Sequence, residues 1–424
     1  MNRILQELKR RFAGAVRVLR LQKLGGFLRK LLLGLRKIVG KAPEAETPTS
    51  SVRDAFSRMS AAAKAPLPPS DIVVLPSRSE AGAVPPSRTK TSRPASGDSD
   101  KFISGSFTYG TQTRRYRLFI AARSDEQRLP LVVMLHGCKQ DADDFATGTG
   151  MNAVAREQGF HVLYPEQSQG ANAYRCWNWF SHGHQQRDHG EPALIAALTR
   201  EMMDSQNIDA ERVYIAGLSA GAAMAVIVAA AYPEMFAAVG VHSGLARGAA
   251  GNALEAITVM KNGMRNDFLP HAQNRVGQRG IGHITAAAAA RARMVVPTIV
   301  FHGDADTTVH PRNGEQVLAA ALAAIDDEAS NDESHAGGGS KPSAQARATR
   351  QAQRHHGESA NGQRYTRDVH HDVSGSVIAE HWVLHDAGHA WAGGHSDGSF
   401  TDAKGPDASR EMSRFFLQRR RRGV

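Results

Sequence analysis

Gly217-Leu218-Ser219-Ala220-Gly221 is the stretch that decides the fold of this chain. Residues 212–216 before it are β-branched and aromatic enough to predict a buried strand, and the apolar run 222–228 after it predicts a helix. A serine in a tight strand-to-helix turn needs glycines two positions away on either side, because a Cβ there would clash with the cramped backbone. The pattern predicts a nucleophile elbow that presents Ser219 above the edge of a sheet.

An acidic partner for this serine is predicted in the turn after a second apolar strand, residues 297–301. That turn carries two carboxylates, Asp304 and Asp306. Asp306 fits the spacing H-G-x-x-D-x-x-V and is the preferred acid. Asp304 is the alternative, and it is otherwise interpreted as a turn residue.

A histidine base is predicted in the loop 386–391, which follows a strand-like segment at 380–385. His389 stands there in a tight Gly-His turn, a setting from which an imidazole can reach across to a serine. His385 and His395 are the nearby rivals, and we interpret both as solvated loop histidines.

The order of these residues along the chain is Ser219, Asp306, His389, which is the order of the α/β-hydrolases and of neither of two protease folds that use the same residue types. Their chemistry suits an ester: His389 takes the proton of the Ser219 hydroxyl as it attacks the carbonyl carbon. Asp306 holds the imidazole in the required tautomer. The sequence therefore predicts a serine hydrolase that works through an acyl-enzyme.

An oxyanion hole is predicted at the loop that follows the apolar strand 131–135 and reads His136-Gly137-Cys138-Lys139-Gln140. The expected donors are the backbone N–H groups of Cys138 and Ala220. Losing one donor of this kind typically costs about 2.7–4 kcal/mol of transition-state stabilisation. We interpret His136 as a residue that shapes the loop by hydrogen bonding rather than as a base.

These segments, with two others, resemble the esterase family of poly(3-hydroxybutyrate) depolymerases, which also contains feruloyl and acetylxylan esterases. The resemblance covers roughly residues 105–417. It rests on the motifs His136-Gly137-Cys138-x-Gln140, Arg175-Cys176-Trp177-Asn178-Trp179, Gly190-Glu191-Pro192, Gly217-Leu218-Ser219-Ala220-Gly221 and Gly388-His389-x-Trp391.

The resemblance implies the α/β-hydrolase fold, with a mostly parallel central sheet and helices on both of its faces. It also implies a serine esterase that needs no metal and no cofactor. By position it makes Ser219 the nucleophile, Asp306 and His389 its partners, and Cys138 an oxyanion donor. The nineteen histidines of the chain are scattered, and we expect no metal site among them.

The two cysteines, Cys138 and Cys176, both lie in these motifs. Two cysteines are too few for a disulfide framework, so the sequence leaves open one bridge between them or two free thiols. A bridge would be unusual in a reducing cytosol.

Substrate contacts are expected from three tryptophans near the site. Trp177 and Trp179 lie in one aromatic segment, and rings exposed beside a pocket would suit a polyester chain of alternating methyl groups and ester dipoles. Burial in the core is the alternative for at least one of them. Trp391, two residues after His389, is the stronger candidate for a pocket wall.

The net charge is concentrated in residues 1–41. This segment holds twelve Lys or Arg and one acid, Glu7, a net charge of +11 that equals the charge of the whole chain. The remainder is balanced, which argues against a general nucleic-acid-binding surface.

The same segment has a helical period, with apolar residues such as Leu24, Phe27, Leu28 and Leu31 on one face and basic residues on the other. Charges interrupt every apolar run, so the segment is predicted to be neither a transmembrane span nor a secretory signal. A basic amphipathic helix of this kind binds anionic lipid or a hydrophobic particle coated with it. A helical arm packed on the enzyme and an organelle-type targeting segment are the alternatives.

The domain organisation follows from composition. Residues 42–100 are rich in Ala, Pro, Ser and Thr and are predicted to form a disordered linker. Residues 101–424 form the expected catalytic domain, with a low-complexity surface insert at about 325–363.

The preferred hypothesis is a cytoplasmic depolymerase of polyhydroxyalkanoate, carried to granules or an anionic membrane by residues 1–41. The alternative enzyme is a feruloyl or acetylxylan esterase, a role that requires export and is disfavoured by the lack of a secretory pattern in this sequence. A catalytically idle protein that coats granules or membranes is the alternative outside the enzymes.

Overall fold

The computed structural model describes residues 99–122, 128–264, 296–335, 352–372 and 374–421. The amphipathic helix predicted at 1–41 lies outside the described residues, as does nearly all of the linker predicted at 42–100. Among the helices of the described ranges, none combines the length and the apolar character that a membrane span requires.

Strands and helices alternate along most of the described chain. The strands are β1 (Lys101–Tyr109), β2 (Gln112–Ile120), β3 (Leu129–Leu135), β4 (His161–Pro165), β5 (Ile208–Leu218), β6 (Ala238–His242), β7 (Thr298–Gly303), β8 (Gln353–Glu358), β9 (Arg364–His371), β10 (Val377–Leu384), β11 (Trp391–Ala392) and β12 (Thr401–Asp402). The helices are α1 (Ala142–Thr149), α2 (Met151–Gln158), α3 (Gly190–Ser205), α4 (Ala220–Ala231), α5 (Ala253–Asn262), α6 (Arg312–His335) and α7 (Ala408–Leu417), with one 3-10 turn at His182–His184.

The central sheet has the strand order β1-β2-β4-β3-β5-β6-β7-β10-β9-β8. The six strands from β4 to β10 in this order run parallel. The strands β1 and β2 at one end, and β9 and β8 at the other, are antiparallel additions. This arrangement is the α/β-hydrolase fold, so the predicted fold class is confirmed.

The parallel strands lie in the core because helices cover the sheet on both faces. All seven residues of β3 and all five of β6 are buried, as expected for strands without a solvent-facing side. Tyr214 of β5 stacks on Phe416 of α7 with ring centroids 5.1 Å apart. The alanine-rich helix α4 is buried along nearly its whole length.

Three parallel strands carry the predicted site residues to one edge of the sheet. The strand β5 ends directly before Ser219, β7 ends three residues before Asp306, and β10 ends five residues before His389. Parallel neighbours end at the same edge, and in sheets of this kind ligands bind outside the carboxyl ends of the strands.

The insert expected at about 325–363 is more regular at its ends than its composition indicated. The helix α6 continues to His335, and β8 pairs with β9 from Gln353 to Glu358. Residues 336–351 between them lie outside the described residues. Secondary structure therefore extends into both ends of the predicted insert, and pairing with β9 gives partners to the polar strand β8.

Candidate active site

Ser219 occupies the turn between β5 and α4 in a backbone conformation that L-residues rarely adopt, with φ 56° and ψ −119°. The turn is tight enough to exclude side chains at two positions. A Cβ on Gly221 would lie 2.0 Å from the Leu135 carbonyl oxygen, and a Cβ on Gly217 would lie 2.6 Å from the same atom. Strain of this kind is held only where the surrounding structure enforces it. The predicted elbow is therefore present in the structure.

The hydroxyl of Ser219 is not used to cap its own helix, although serine commonly serves that purpose. Its backbone N–H donates to the carbonyl oxygen of His242 at 2.9 Å, which ties the turn to the end of β6. No hydrogen bond joins Ser219 Oγ to His389 in the described chain. Bonds between a nucleophile and its base are often long without substrate and tighten when substrate binds.

Asp306 is a buried carboxylate with a full set of donors. Its Oδ1 accepts from the backbone N–H groups of Thr308 and Val309, each at 2.8 Å, and its Oδ2 lies 2.7 Å from His389 Nδ1. Burial alone would raise the pKa of the Asp306 carboxyl. The neighbouring His389 and His302 outweigh burial and hold that pKa well below its usual range. Asp306 is therefore ionised.

His389 is oriented by this carboxylate. Because Nδ1 donates to Asp306, the neutral imidazole presents an unprotonated Nε2, the atom that can accept a proton. No other residue of the described ranges bonds to Nε2. The ring is only partly buried, so Nε2 is available to a reacting group.

The alternative acid and its nearest rival histidine pair with each other. Asp304 Oδ2 lies 2.9 Å from His385 Nδ1, and His385 Nε2 lies 2.9 Å from Thr366 Oγ1. Both ring nitrogens of His385 are thus occupied. The pair is also exposed, at 40% for the Asp304 side chain and 32% for His385. His395 is still more exposed, which agrees with its interpretation as a loop histidine.

The loop predicted to form the oxyanion hole is held by hydrogen bonds on both sides of Cys138. Gly137 N–H donates to Gln140 Oε1 at 2.9 Å, and Lys139 N–H donates to the Tyr174 carbonyl at 2.7 Å. Within the part of the chain that the structure describes, neither the N–H of Cys138 nor that of Ala220 donates to another residue. Two fixed N–H groups without an internal acceptor are what an oxyanion hole requires.

His136 shapes this loop, as its interpretation from the sequence expected. Its Nδ1 lies 2.8 Å from the Gly137 carbonyl, and its Nε2 accepts from Gln167 N–H at 3.0 Å. Burial lowers the pKa of His136 below its ordinary value, so the ring stays neutral. Both nitrogens are committed to structure.

The two cysteines form a disulfide, Cys138–Cys176. The sequence left this bridge and two free thiols open, and the structure has the bridge. It joins the loop that carries one proposed oxyanion donor to the Arg175–Trp179 motif. The Cys176 carbonyl accepts in turn from Gln167 Nε2 at 3.1 Å, so the bridge continues into a buried polar network.

At the centre of that network is Glu191, a residue to which sequence reasoning gave no role. It is fully buried and accepts from Asn178 N–H at 2.7 Å and from Asn178 Nδ2 at 2.7 Å. Burial would raise the pKa of its carboxyl, but hydrogen bonding and charge from His184, with the bond from Gln167, lower it. The sequence signal that could have identified Glu191 was its place in the Gly190-Glu191-Pro192 motif, which follows the Trp177-Asn178-Trp179 segment that contains its partner Asn178.

The three tryptophans expected to contact substrate lie in the core. Trp177, Trp179 and Trp391 are each at most 4% exposed. The prediction of Trp391 as a pocket wall is wrong: its Nε1 donates to Ser409 Oγ at 3.1 Å and its ring packs edge-on against Phe145. Burial of a large indole stabilises the fold when its N–H has a buried hydrogen-bond partner, which explains why Trp391 packs in the core.

Two further histidines near Asp306 had no predicted role. His302 Nε2 lies 2.8 Å from the Val309 carbonyl and 3.5 Å from Asp306 Oδ2. His242, at the end of β6, is fully buried behind the same group. Across the described ranges, no cluster of three or more His, Cys, Asp or Glu side chains has a geometry suited to a metal ion.

Comparison with known proteins supplies independent findings. The sequence model of the family described as Esterase PHB depolymerase matches residues 114–327, half of the chain. The chain is similar to poly(3-hydroxyalkanoate) depolymerase C of Paucimonas lemoignei, 35% identical over 190 residues, which are 45% of this chain and 43% of that protein. It is also similar to feruloyl esterase B of Neurospora crassa, 30% identical over 193 residues, 44% of this chain and 62% of that protein.

The chain thus spans less than two thirds of the length of each of these relatives. Among solved structures it is similar to an acetyl xylan esterase from Aspergillus awamori. That match has 17% sequence identity and a TM-score of 0.47, and it covers 68% of this chain and 94% of the other.

Proposed function

The chain belongs to the Esterase PHB depolymerase family, and from this premise we propose that it is a serine esterase that hydrolyses polyhydroxyalkanoate esters. Ser219, Asp306 and His389 are the proposed catalytic residues. The observation that carries the proposal is the 2.7 Å contact between His389 Nδ1 and the buried Asp306 Oδ2, at the edge of the sheet where the strained turn presents Ser219.

The proposed reaction begins with proton transfer. His389 Nε2 accepts the proton of the Ser219 hydroxyl while Oγ attacks the ester carbonyl carbon, and the ionised Asp306 stabilises the resulting imidazolium. His389 then returns the proton to the leaving alcohol, which completes the acyl-enzyme. Water activated by the same histidine attacks the acyl carbon and releases the acid and Ser219.

Stabilisation of the tetrahedral intermediate is assigned to the N–H groups of Cys138 and Ala220. Neither donates to another described residue, and both are fixed, Cys138 by its neighbours' bonds and its disulfide, Ala220 as the first residue of α4. The N-terminal end of a helix adds a favourable dipole for the developing oxyanion. Preorganised donors of this type are commonly the largest single contribution to catalysis.

Polyester is the proposed substrate because of the similarity to the Paucimonas lemoignei depolymerase. A carbohydrate esterase is the second candidate, favoured by the similarity to feruloyl esterase B. With the three tryptophans buried, aromatic stacking by those rings no longer argues for either substrate.

We further propose that residues 1–41 hold the enzyme on a polyhydroxyalkanoate granule or an anionic membrane in the cytoplasm. The support is their charge of +11 and their apolar stripe. The disulfide favours an exported enzyme instead, since such bonds persist in oxidising compartments. The redox state of Cys138 and Cys176 in natively isolated protein therefore separates a cytoplasmic enzyme from an exported one.

The test is turnover by the full chain of three substrates: amorphous polyhydroxybutyrate, a feruloyl ester of arabinose and a short nitrophenyl ester. Ser219→Ala supplies the background, and Ser374→Ala, at an exposed turn serine, is the matched control. We expect polyester turnover that is lost in Ser219→Ala alone. A preference for the feruloyl ester would establish the second candidate. No turnover of any ester by the wild type would mean an idle binding protein.

A further inference from the structure

We propose that His242 is a positioning residue for catalysis, whose neutral imidazole fixes the loop that carries His389 relative to the turn that carries Ser219. The inference rests on the proposed function. It gives a role to a buried histidine that is not one of the three proposed catalytic residues and has no place in the reaction steps above.

The backbone of His242 holds the nucleophile side of the site. His242 is the last residue of β6, the strand between β5 and β7, and pairs with Leu218, the residue before the elbow. Its carbonyl oxygen accepts the N–H of Ser219 at 2.9 Å. His242 therefore helps to hold the strained turn at Ser219 in position through its backbone.

The side chain of His242 holds the base side. Its Nε2 accepts the backbone N–H of Ala392 at 3.0 Å, three residues after His389. An acceptor nitrogen carries no proton, so the proton of the neutral ring is on Nδ1, which lies 3.2 Å from Ser243 Oγ. One residue thus bonds to both segments whose separation determines the Ser219–His389 distance.

Packing restrains the plane of the His242 ring. It is fully buried and lies between the Phe301 ring, at 5.8 Å and 11°, and the Trp391 ring, at 5.1 Å and 27°. Trp391 is itself anchored through Nε1 to Ser409. The two aromatic rings restrain the plane of the imidazole, and the bond from the Ala392 N–H decides which nitrogen faces that segment.

The electrostatics keep the ring in the form that accepts this bond. Burial, then the electrostatic effect of the neighbouring His302 and His389 imidazoles, lowers the pKa of His242 to about 3, against the opposing effect of Asp306. Protonation would set an Nε2–H against the Ala392 N–H. The acceptor is therefore present throughout the pH range in which a histidine base works.

Removing only the acceptor tests the inference. His242→Leu keeps an apolar side chain between the two rings, whereas His242→Gln can restore an acceptor. A displacement of about 1 Å can cost about 100-fold in rate. We expect kcat of His242→Leu on a short nitrophenyl ester to fall by roughly 10–100-fold with KM changed less than about threefold. His242→Gln should recover most of the loss.

His161 provides the matched control. It is equally buried, and its Nδ1 likewise accepts a backbone N–H, that of Ala121 at 3.1 Å, but it begins β4 at the opposite edge of the sheet. His161→Leu should lower the melting temperature and leave kcat per folded molecule unchanged. An equal loss of kcat in both leucine variants would mean that His242 contributes only to the stability of the fold, and it would overturn the proposal.

Two readouts separate failure of the inference from failure of the proposed function. Wild type that neither hydrolyses the ester nor is labelled at Ser219 by a fluorophosphonate refutes the function. Active wild type with His242→Leu within threefold of it, or His242→Gln as impaired as His242→Leu, refutes the inference alone. If His242→Leu does not fold, ¹⁵N NMR of the wild type decides: an Nδ1–H tautomer is required, and an Nε2–H tautomer overturns it.

Discussion

His385 Nδ1 lies 2.9 Å from Asp304 Oδ2, so the two residues that rival His389 and Asp306 in the sequence are bonded to each other. Asp304 Oδ1 also accepts the Asp386 N–H at 2.7 Å. This outer pair, Asp304 and His385, joins the segment after β7 to the segment after β10. The inner pair, Asp306 and His389, joins the same two segments. The outer pair is exposed, and its histidine has no nitrogen left to take a proton from a serine.

Asp306→Asn should lower kcat on a soluble ester by about 10⁴-fold, because an amide oxygen cannot stabilise the imidazolium and the amide favours the wrong tautomer of His389. Asp304→Asn, two residues away in the sequence, is the matched control. It should reduce kcat less than tenfold, since it loosens only the outer pair. Steady-state kinetics of both variants decide the matter, and the reverse ranking would transfer the acid role to Asp304.

Gly221→Ala should abolish soluble expression or activity, because its Cβ would lie 2.0 Å from a backbone oxygen that belongs to a central strand. Gly170→Ala, where the nearest atom is 3.9 Å away, is the control and should behave as wild type. Circular dichroism and turnover of a nitrophenyl ester measure the difference. A fully active Gly221→Ala protein would contradict the elbow geometry.

The double variant Cys138→Ser/Cys176→Ser should fold but lose about 2–4 kcal/mol of stability, since the bridge closes a loop with a sequence separation of 38. We also expect kcat to fall about tenfold, because the Cys138 N–H loses one of its supports. Denaturant titration and kinetics measure both effects. Reductant should reproduce the loss in the wild type and do nothing further to the variant, and an unreduced wild type with two titratable thiols would contradict the bridge.

Glu191→Gln should weaken the dependence of the free energy of unfolding on pH in the acidic range. Folding lowers the pKa of Glu191, so its ionised form stabilises the native state above the unfolded pKa near 4.3. That contribution is lost as the pH falls through the lower folded value. We expect a Tm several degrees below wild type at pH 7 and a smaller difference at an acidic pH below about 4.3. Glu157→Gln, which removes an exposed partner of Arg410, should shift Tm far less at either pH.

Deletion of residues 1–41 should leave hydrolysis of a small soluble ester nearly unchanged and remove most binding to polyester granules or anionic vesicles, because charge and apolar stripe are both deleted. Salt should weaken binding of the full chain only partly, since screening leaves apolar burial in place. Sedimentation with granules is the measurement. Equal pelleting of both proteins would refute the anchoring role alone.

Local patterns in the sequence were sufficient to predict the fold and to propose the residues of the candidate site. The strand before Ser219, the helix after it and the flanking glycines are neighbours in sequence, so their steric requirements appear in one short stretch. The order of the acid and histidine loops follows from the order of the strands. The α/β-hydrolase fold was therefore predictable, and the prediction is confirmed.

Only the tertiary structure decided how distant segments pair. His389 meets Asp306 across 83 residues and His385 meets Asp304 across 81. Local spacing favoured Asp306 and His389 but did not show that Asp304 and His385 pair with each other. The two pairs differ in burial, and the inner carboxylate also accepts the N–H groups of Thr308 and Val309 in the segment after β7. The same holds for Trp391 and His242, whose roles depend on which rings the packed strands bring together.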